Sequence, residues 1–294
     1  MPTAYLFCPA YPLHDEAQMR LAVAIATRFA DLIAHELVVS PDIGRWGAVG
    51  AWHEARHRRA DFTRALAHDV LIPVRGGYGC SDLVDIALAH AHRLPLLLGY
   101  SDLTVLHACW RRRACASHYG FMPAATPGPR SLESTTASVR GDAMRWDGHT
   151  AVGAVPLHPG SARGPLFGAC LRVLASLCGT TAMPDLTGCI LALEDIDERP
   201  YQIDRDLTQL ERSGALSGVA GLIFGSFPAP KRPGYAGPDA QAVCRSWSER
   251  LRIPCVQAFP FGHDDDPITL PCGRAAILAV ASDTWSLDLP AASP

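Results

Sequence analysis

Three side chains could together move an acyl group: Ser101, Glu194 and His263. A serine that attacks a carbonyl needs a base to take its proton. It also needs a carboxylate to hold that base in one tautomer, and preorganised donors for the oxyanion. Ser101 closes the stretch Leu96-Leu97-Leu98-Gly99-Tyr100-Ser101, where an apolar run ends in Gly and gives way to Leu103, Leu106 and Trp110 at helical spacing. That pattern predicts strand, sharp turn and helix, with the hydroxyl lifted off the sheet and its N–H near a helix start, the logic of a nucleophile elbow. The Gly-x-Ser-x-Gly form is incomplete, because Leu103 stands in place of the second glycine, and a helix-capping serine would give the same pattern. Glu194 follows the apolar run from Cys189 to Leu193, and His263 sits in a Gly-His turn after a strand. Plain readings compete with both. Glu194 opens an acidic run with Asp195, Asp197 and Glu198, of the kind that forms solvated faces. His107 and His118 lie nearer Ser101 in sequence; His107 falls two turns into the helix and away from the elbow, whereas His118 stays open as a rival base. Amides of Asp102 and of Gly76 or Gly77 are candidate oxyanion donors.

The elements that must position these groups alternate. Strands are expected at Ala4 to Cys8, Leu37 to Val39, Val70 to Val74 and Leu96 to Gly99. Helices are expected at Glu16 to His35, Arg59 to His68, Ser81 to His92 and after Ser101, with Pro41 to Gly50 as a loop. Such alternation predicts a parallel sheet covered by helices on both faces, with ligands beyond the carboxyl ends of its strands. Arg75-Gly76-Gly77-Tyr78-Gly79 and Ser101 both follow strands, so they are expected on one rim. The glycine block lacks G-x-G-x-x-G spacing and follows the third strand, which argues against a dinucleotide fingerprint. It serves either as a turn that needs positive φ or as bare backbone that approaches a ligand oxygen.

Residues 124–146 are rich in Pro, Ser, Thr and Gly without periodicity, and are expected to link a domain at 1–123 to one at 147–294. The second domain is expected to be mixed α/β. Helices are predicted at Phe167 to Cys178, Tyr201 to Ser213 and Ala240 to Arg250. Strands are predicted at Cys189 to Leu193, Val219 to Phe224, Cys255 to Ala258, Ala275 to Ala281 and Trp285 to Leu289.

Composition narrows the function classes. A formal net charge of −3 argues against a nucleic-acid partner. No apolar run approaches the length of a transmembrane helix, and no signal peptide is visible, so no membrane partner is expected. None of the ten cysteines forms a C-x-x-C pair, and neither they nor the twelve histidines show zinc-ligand spacing. Buried, reduced thiols in a cytoplasmic protein are expected, with no metal and no organic cofactor.

Four blocks carry a family resemblance: Arg75-Gly76-Gly77-Tyr78-Gly79; Gly99-Tyr100-Ser101-Asp102-Leu103-Thr104-Val105-Leu106-His107; Leu193-Glu194-Asp195-Ile196 with Pro200-Tyr201-Gln202-Ile203-Asp204-Arg205; and Phe261-Gly262-His263 with Thr269-Leu270-Pro271-Cys272-Gly273. In order and spacing the chain resembles the serine LD-carboxypeptidases, which include murein tetrapeptide carboxypeptidases and microcin C immunity peptidases. The resemblance implies a flavodoxin-like N-terminal domain, a swivelling-type C-terminal domain, a site at their interface and a homodimer. It also implies a Ser101-Glu194-His263 triad and oxyanion donors at the Gly77 and Asp102 amides. The implied activity is release of the terminal D-residue from L,D-linked murein peptides. Arg75 is a candidate for the substrate's terminal carboxylate, with Gly76 beside it. Two rivals stand: a peptidyl-nucleotide substrate, for which Gly120 to Gly128 offers only Phe121 as an aromatic platform, and a non-catalytic ligand-binding protein. The chain departs from the family pattern in three places. Asp264-Asp265-Asp266-Pro267 follows His263, where the run could meet a substrate amine or form a solvated loop. Cys8-Pro9-Ala10-Tyr11-Pro12 stands where Pro-Ser-Ser is common. Tyr119-Gly120-Phe121-Met122 stands where the family has His-Gly-Pro-Met.

Overall fold

The computed structural model describes residues 1–13, 15–43, 55–229 and 235–292; part of the loop expected from Pro41 to Gly50 lies outside them. The N-terminal half runs β1 (Thr3–Phe7), α1 (Glu16–Leu32), β2 (Glu36–Val39), α2 (Ala55–Ala65), β3 (Val70–Pro73), α3 (Val84–Ala89), β4 (Leu96–Gly99), α4 (Thr104–Arg112) and β5 (Ser117–Tyr119). After it come α5 (Pro129–Arg140), β6 (Met144–Asp147), β7 (Val155–His158), β8 (Gly160–Cys170), α6 (Leu171–Ser176), β9 (Ile190–Glu194) and α7 (Pro200–Arg212). The chain ends with β10 (Gly221–Phe224), α8 (Ala240–Leu251), β11 (Cys255–Gln257), β12 (Leu270–Cys272), β13 (Ala275–Val280) and β14 (Trp285–Leu289).

The first sheet has the order β12-β5-β4-β3-β1-β2. Strands β1 to β5 are parallel and run 2-1-3-4-5, the flavodoxin-like order. The short strands β1 and β3 are buried almost throughout, as expected where helices cover both faces. The second sheet, β6-β14-β13-β8-β9-β10-β11-β7, is parallel from β8 through β11 and antiparallel at both sides of that block. One continuous apolar cluster joins the α2–α4 face of the first sheet to the second sheet, with Phe62, Trp110, Phe167 and Phe259 fully buried in it.

The sheets are also joined through the backbone. β12 leaves the C-terminal half and pairs antiparallel with β5, setting Leu270 opposite Tyr119 and Cys272 opposite Ser117. Tyr119 is therefore a central-strand residue with the second half of the chain on one side and β4 on the other.

The structure corrects several expectations. The helix predicted from Phe167 to Cys178 begins only at Leu171, and Phe167 to Cys170 are the end of β8. Phe167-Gly168-Ala169-Cys170 is buried on both faces, and a fully buried run gives no period that separates strand from helix. The segment 124–146, expected to be aperiodic, carries α5 and most of β6. The helix has Pro at its first position and ends on Gly141 in the left-handed region at φ +77°, a start and stop that hydrophobic periodicity does not register. Its buried face is Ser131, Ser134, Thr135 and Ser138, which lack the apolar stripe on which the sequence reading relied. Predicted helix Ser81 to His92 is a 3-10 turn at Cys80–Leu83 followed by the short α3.

Candidate functional site

β4 ends at Gly99, and Ser101 follows with φ +65°, the left-handed region that a non-glycine residue enters at a cost of about 1–2 kcal/mol. The turn then becomes the 3-10 segment Ser101–Leu103 and α4. A serine placed this way on a strained strand-to-helix turn matches the expected elbow. Across the rim lies the loop after β3. A Cβ on Gly76 would sit 3.2 Å from Ser101 Oγ, and one on Gly77, at φ +125°, would strike the Tyr11 ring. Bare backbone is required there by close approach as well as by φ. The Asp102 side chain ties the two loops together, its Oδ2 accepting a 2.9 Å hydrogen bond from the Cys80 amide. Burial pushes the Asp102 carboxyl up from its ordinary value, and that amide partly offsets the shift.

From the other half, β9 delivers Glu194 with no exposed surface. Its Oε2 accepts from His263 Nδ1 at 2.6 Å and from the His263 backbone N–H at 3.1 Å. Gly262, at φ +81°, makes this possible: a Cβ there would come within 2.5 Å of Glu194 Oε2. Phe261-Gly262-His263 is thus a turn folded onto the carboxylate, and Glu194 does not lie on a solvated face. Burial alone would lower the His263 pKa; the charge and hydrogen bond of Glu194, with Asp195 and Asp197 behind them, outweigh it and raise it above the ordinary imidazole value. Asp195, buried beside Glu194, is pushed up to about 7 by desolvation and by that neighbour. It accepts from the amides of Arg172 at 2.7 Å and Ile196 at 2.9 Å, which fixes the end of the strand.

Ser101 and His263 line one cavity of about 680 Å³ with Tyr11, Arg75, Gly76 and Gly77. Among the described residues no hydrogen bond joins Ser101 Oγ to the imidazole, whose ring instead meets Tyr100 edge-on at 5.1 Å. Hydrogen bonds between catalytic groups are often long or misaligned before substrate binds. The structure therefore brings Ser101, His263, Gly76, Gly77 and Arg75 to one crevice, with Glu194 buried behind His263 and Asp102 buried behind the elbow, and with the serine–histidine contact still open. If His263 takes the serine proton, it must be neutral to do so. kcat/KM should then rise with pH through a limb centred above 6.5, and a pH–rate profile with its midpoint below that value would contradict the raised imidazole.

The rival histidines are elsewhere. His107 is fully buried with Nε2 on the Gly99 carbonyl at 2.8 Å, and burial lowers it to about 4. His118 is buried against Ser138 Oγ, is lowered to about 3, and lines a different cavity. In the acidic run after His263, Asp265 is exposed, whereas Asp264 and Asp266 hold structure. Asp266 caps α5 through the amides of Arg130 at 3.0 Å and Ser131 at 2.8 Å, and Asp264 meets Arg130 at 3.1 Å and Ser226 Oγ at 2.9 Å. Phe121 is buried against Phe29, with ring centroids 4.4 Å apart, and offers no exposed platform. The sequence reading missed Tyr119. Its hydroxyl donates to Glu194 Oε1 at 2.6 Å and accepts from the Ser101 amide at 3.0 Å. The available signal was a polar-tipped aromatic in a buried strand, since such a hydroxyl takes a partner.

Residues 5–120 match the LD-carboxypeptidase N-terminal domain and residues 163–278 the LD-carboxypeptidase C-terminal domain. A putative carboxypeptidase of Streptomyces coelicolor is 36% identical over 257 residues, covering 80% of this chain and 77% of that one. A murein tetrapeptide carboxypeptidase of Pseudomonas aeruginosa is 28% identical over 219 residues, 70% of each chain. The crystal structure of a muramoyltetrapeptide carboxypeptidase from Oxalobacter formigenes superposes with a TM-score of 0.80 at 27% identity, covering 99% of this chain and 100% of that one. With both domains matched in order and a relative above 30% identity along most of its length, the chain belongs to the LD-carboxypeptidase family.

Proposed function

We propose that this protein is a serine-type LD-carboxypeptidase that releases the terminal D-alanine from murein tetrapeptides. The observation that carries the reading is a strained Ser101 sharing one cavity with an imidazole held by a wholly buried carboxylate. Ser101 Oγ attacks the carbonyl of the L-centre while His263 Nε2 takes its proton. Glu194 keeps the Nδ1 proton in place and stabilises the imidazolium. The Gly77 and Asp102 amides receive the oxyanion. His263 then returns the proton to the amine of the departing D-residue, and water repeats the sequence on the acyl-enzyme. No metal or organic cofactor enters this sequence of steps.

Among the described residues along the cavity wall, Arg75 and His263 can be cationic. Arg75 lies 5.9 Å from the Tyr11 ring centroid, and we assign it the substrate's terminal carboxylate. Arg75→Gln should raise KM about 10- to 100-fold, the loss of one charged hydrogen bond, with kcat changed far less. An unchanged KM would remove Arg75 from that role.

Among the described residues no helix is long and apolar enough to cross a membrane. We take the enzyme to be a cytoplasmic homodimer: ten free thiols, all but Cys178 buried, suit a reducing compartment, and sedimentation tests the dimer. The decisive assay offers the purified protein a murein tetrapeptide beside a peptidyl-adenylate mimic. Release of D-alanine from the first at the higher kcat/KM is expected. Preference for the second would make it an immunity-type peptidase, and turnover of neither would favour a non-catalytic binder.

A further inference from the structure

We propose that Tyr119 is a positioning residue of this site, its phenol locking the nucleophile's backbone to the carboxylate that orients the base. The inference rests on the serine mechanism above and adds a fourth side chain to it. Ser101 sits on the turn after β4 of the first sheet, whereas Glu194 and His263 come from the second half of the chain, so catalysis depends on the register between them. Two hydrogen bonds set that register at one atom. The Ser101 N–H donates to Tyr119 Oη at 3.0 Å, and Tyr119 Oη donates to Glu194 Oε1 at 2.6 Å.

The carboxylate is divided in a matching way. Oε2 holds the His263 ring and amide, and Oε1 is held by the phenol, so Glu194 has a donor on each oxygen in a place without solvent. The phenol itself cannot drift. Tyr119 is fully buried and paired with Gly99 on β4 and Leu270 on β12, and a Cβ on Gly168 of β8 would come within 2.9 Å of the Tyr119 Cβ. It also keeps its proton, because burial and the Glu194 charge raise it well above the ordinary tyrosine value. The groups that face the phenol are Glu194 on β9, Cys170 at the end of β8, His107 on α4 and Tyr100 at the elbow. Asp195 and Asp197 act on His263 from the loop after β9.

The phenol draws charge away from the carboxylate and so weakens its pull on the imidazolium proton. Removing the donor should leave the Glu194–His263 pair more basic. In Tyr119→Phe, kcat should fall about 10- to 100-fold, with KM within about threefold and the acid limb of kcat/KM moved to higher pH. The imidazole titration followed by NMR should move the same way, a readout independent of any substrate. Replacing residue 119 alone with 3-fluorotyrosine strengthens the donor in an unaltered fold, and should move both the limb and the titration to lower pH.

Opposite movements in the two variants support the assignment. If both titrations stay at the wild-type position, Tyr119 is an ordinary buried residue and the proposal is overturned, whatever happens to kcat. Should Tyr119→Phe fail to fold, the fluorinated protein decides alone. A wild type that hydrolyses no L,D-peptide would sink the carboxypeptidase reading, while the titration would still report on the phenol.

Discussion

Ser101→Ala should fold as the wild type does and lose roughly four to six orders of magnitude in kcat. The fold is preserved because little depends on the hydroxyl. The bond from the elbow to Tyr119 uses the Ser101 backbone N–H, which alanine keeps, and no side-chain hydrogen bond of Ser101 exists among the described residues. Alanine occupies φ +65° at about the same cost as serine, so melting temperature should move little. Activity behaves differently. Without Oγ there is no acyl-enzyme, and only the oxyanion donors and bound geometry remain to act on water. Steady-state release of D-alanine from a murein tetrapeptide by the folded variant measures the loss. A folded Ser101→Ala protein with activity near the wild type would remove Ser101 as nucleophile and return the reading to a ligand-binding scaffold.

Glu194→Gln should cost about 10⁴ in kcat, the order seen when the orienting carboxylate of a serine triad becomes an amide. The two oxygens of Glu194 receive hydrogen bonds from the His263 ring on one side and from the Tyr119 phenol on the other. Glutamine has one oxygen and one NH₂. If the NH₂ faces His263, Nδ1 must accept and the ring proton moves to Nε2, where it blocks uptake of the serine proton. If it faces Tyr119, the phenol loses its acceptor. Either arrangement fails, and the size of the side chain is unchanged. The pH dependence gives a second reading. Charge on Glu194 is what holds the His263 pKa up against burial; without it burial prevails, and the imidazole should titrate below its ordinary value. A Glu194→Gln enzyme with wild-type kcat and an unmoved acid limb would mean that this carboxylate does not orient the base.

How much of this was legible depends on what each residue's signal encodes. The Gly99-Tyr100-Ser101 turn was readable because an apolar run, a glycine and a helical period lie next to one another, so local chemistry announces the elbow. That the first sheet is parallel follows from alternation of strands and helices, whereas its flavodoxin-like order is implied only by the family resemblance. Glu194 and His263 are candidates by their positions after strands, but only the family resemblance singles them out, because residue type alone leaves a solvated acidic run and twelve histidines as competitors. What overturns the solvated reading is Gly262, whose missing side chain lets the turn rest on the carboxylate, a contact between residues far apart in sequence. Within the Asp264–Asp266 run, which reads as a solvated loop, Asp265 is exposed but Asp266 caps α5, a helix inside the segment that reads as a linker. The two errors share a cause: a helix with a buried face of serines and threonines has no apolar period, so neither it nor its cap could be seen. β5 and β12 escaped notice because each is three residues long and their pairing joins distant segments, which no local window detects.

The pairing of β12 with β5 carries a consequence for how the polypeptide is made. During synthesis, β5 emerges about half a chain before its partner, and until then the N-terminal sheet has an open rim of unpaired amides and carbonyls. Such a rim is a template for joining to other chains. The N-terminal sheet can reach its protected state only after Cys272 has been translated, which makes its completion a non-local event and leaves nascent copies exposed to one another in crowded polysomes.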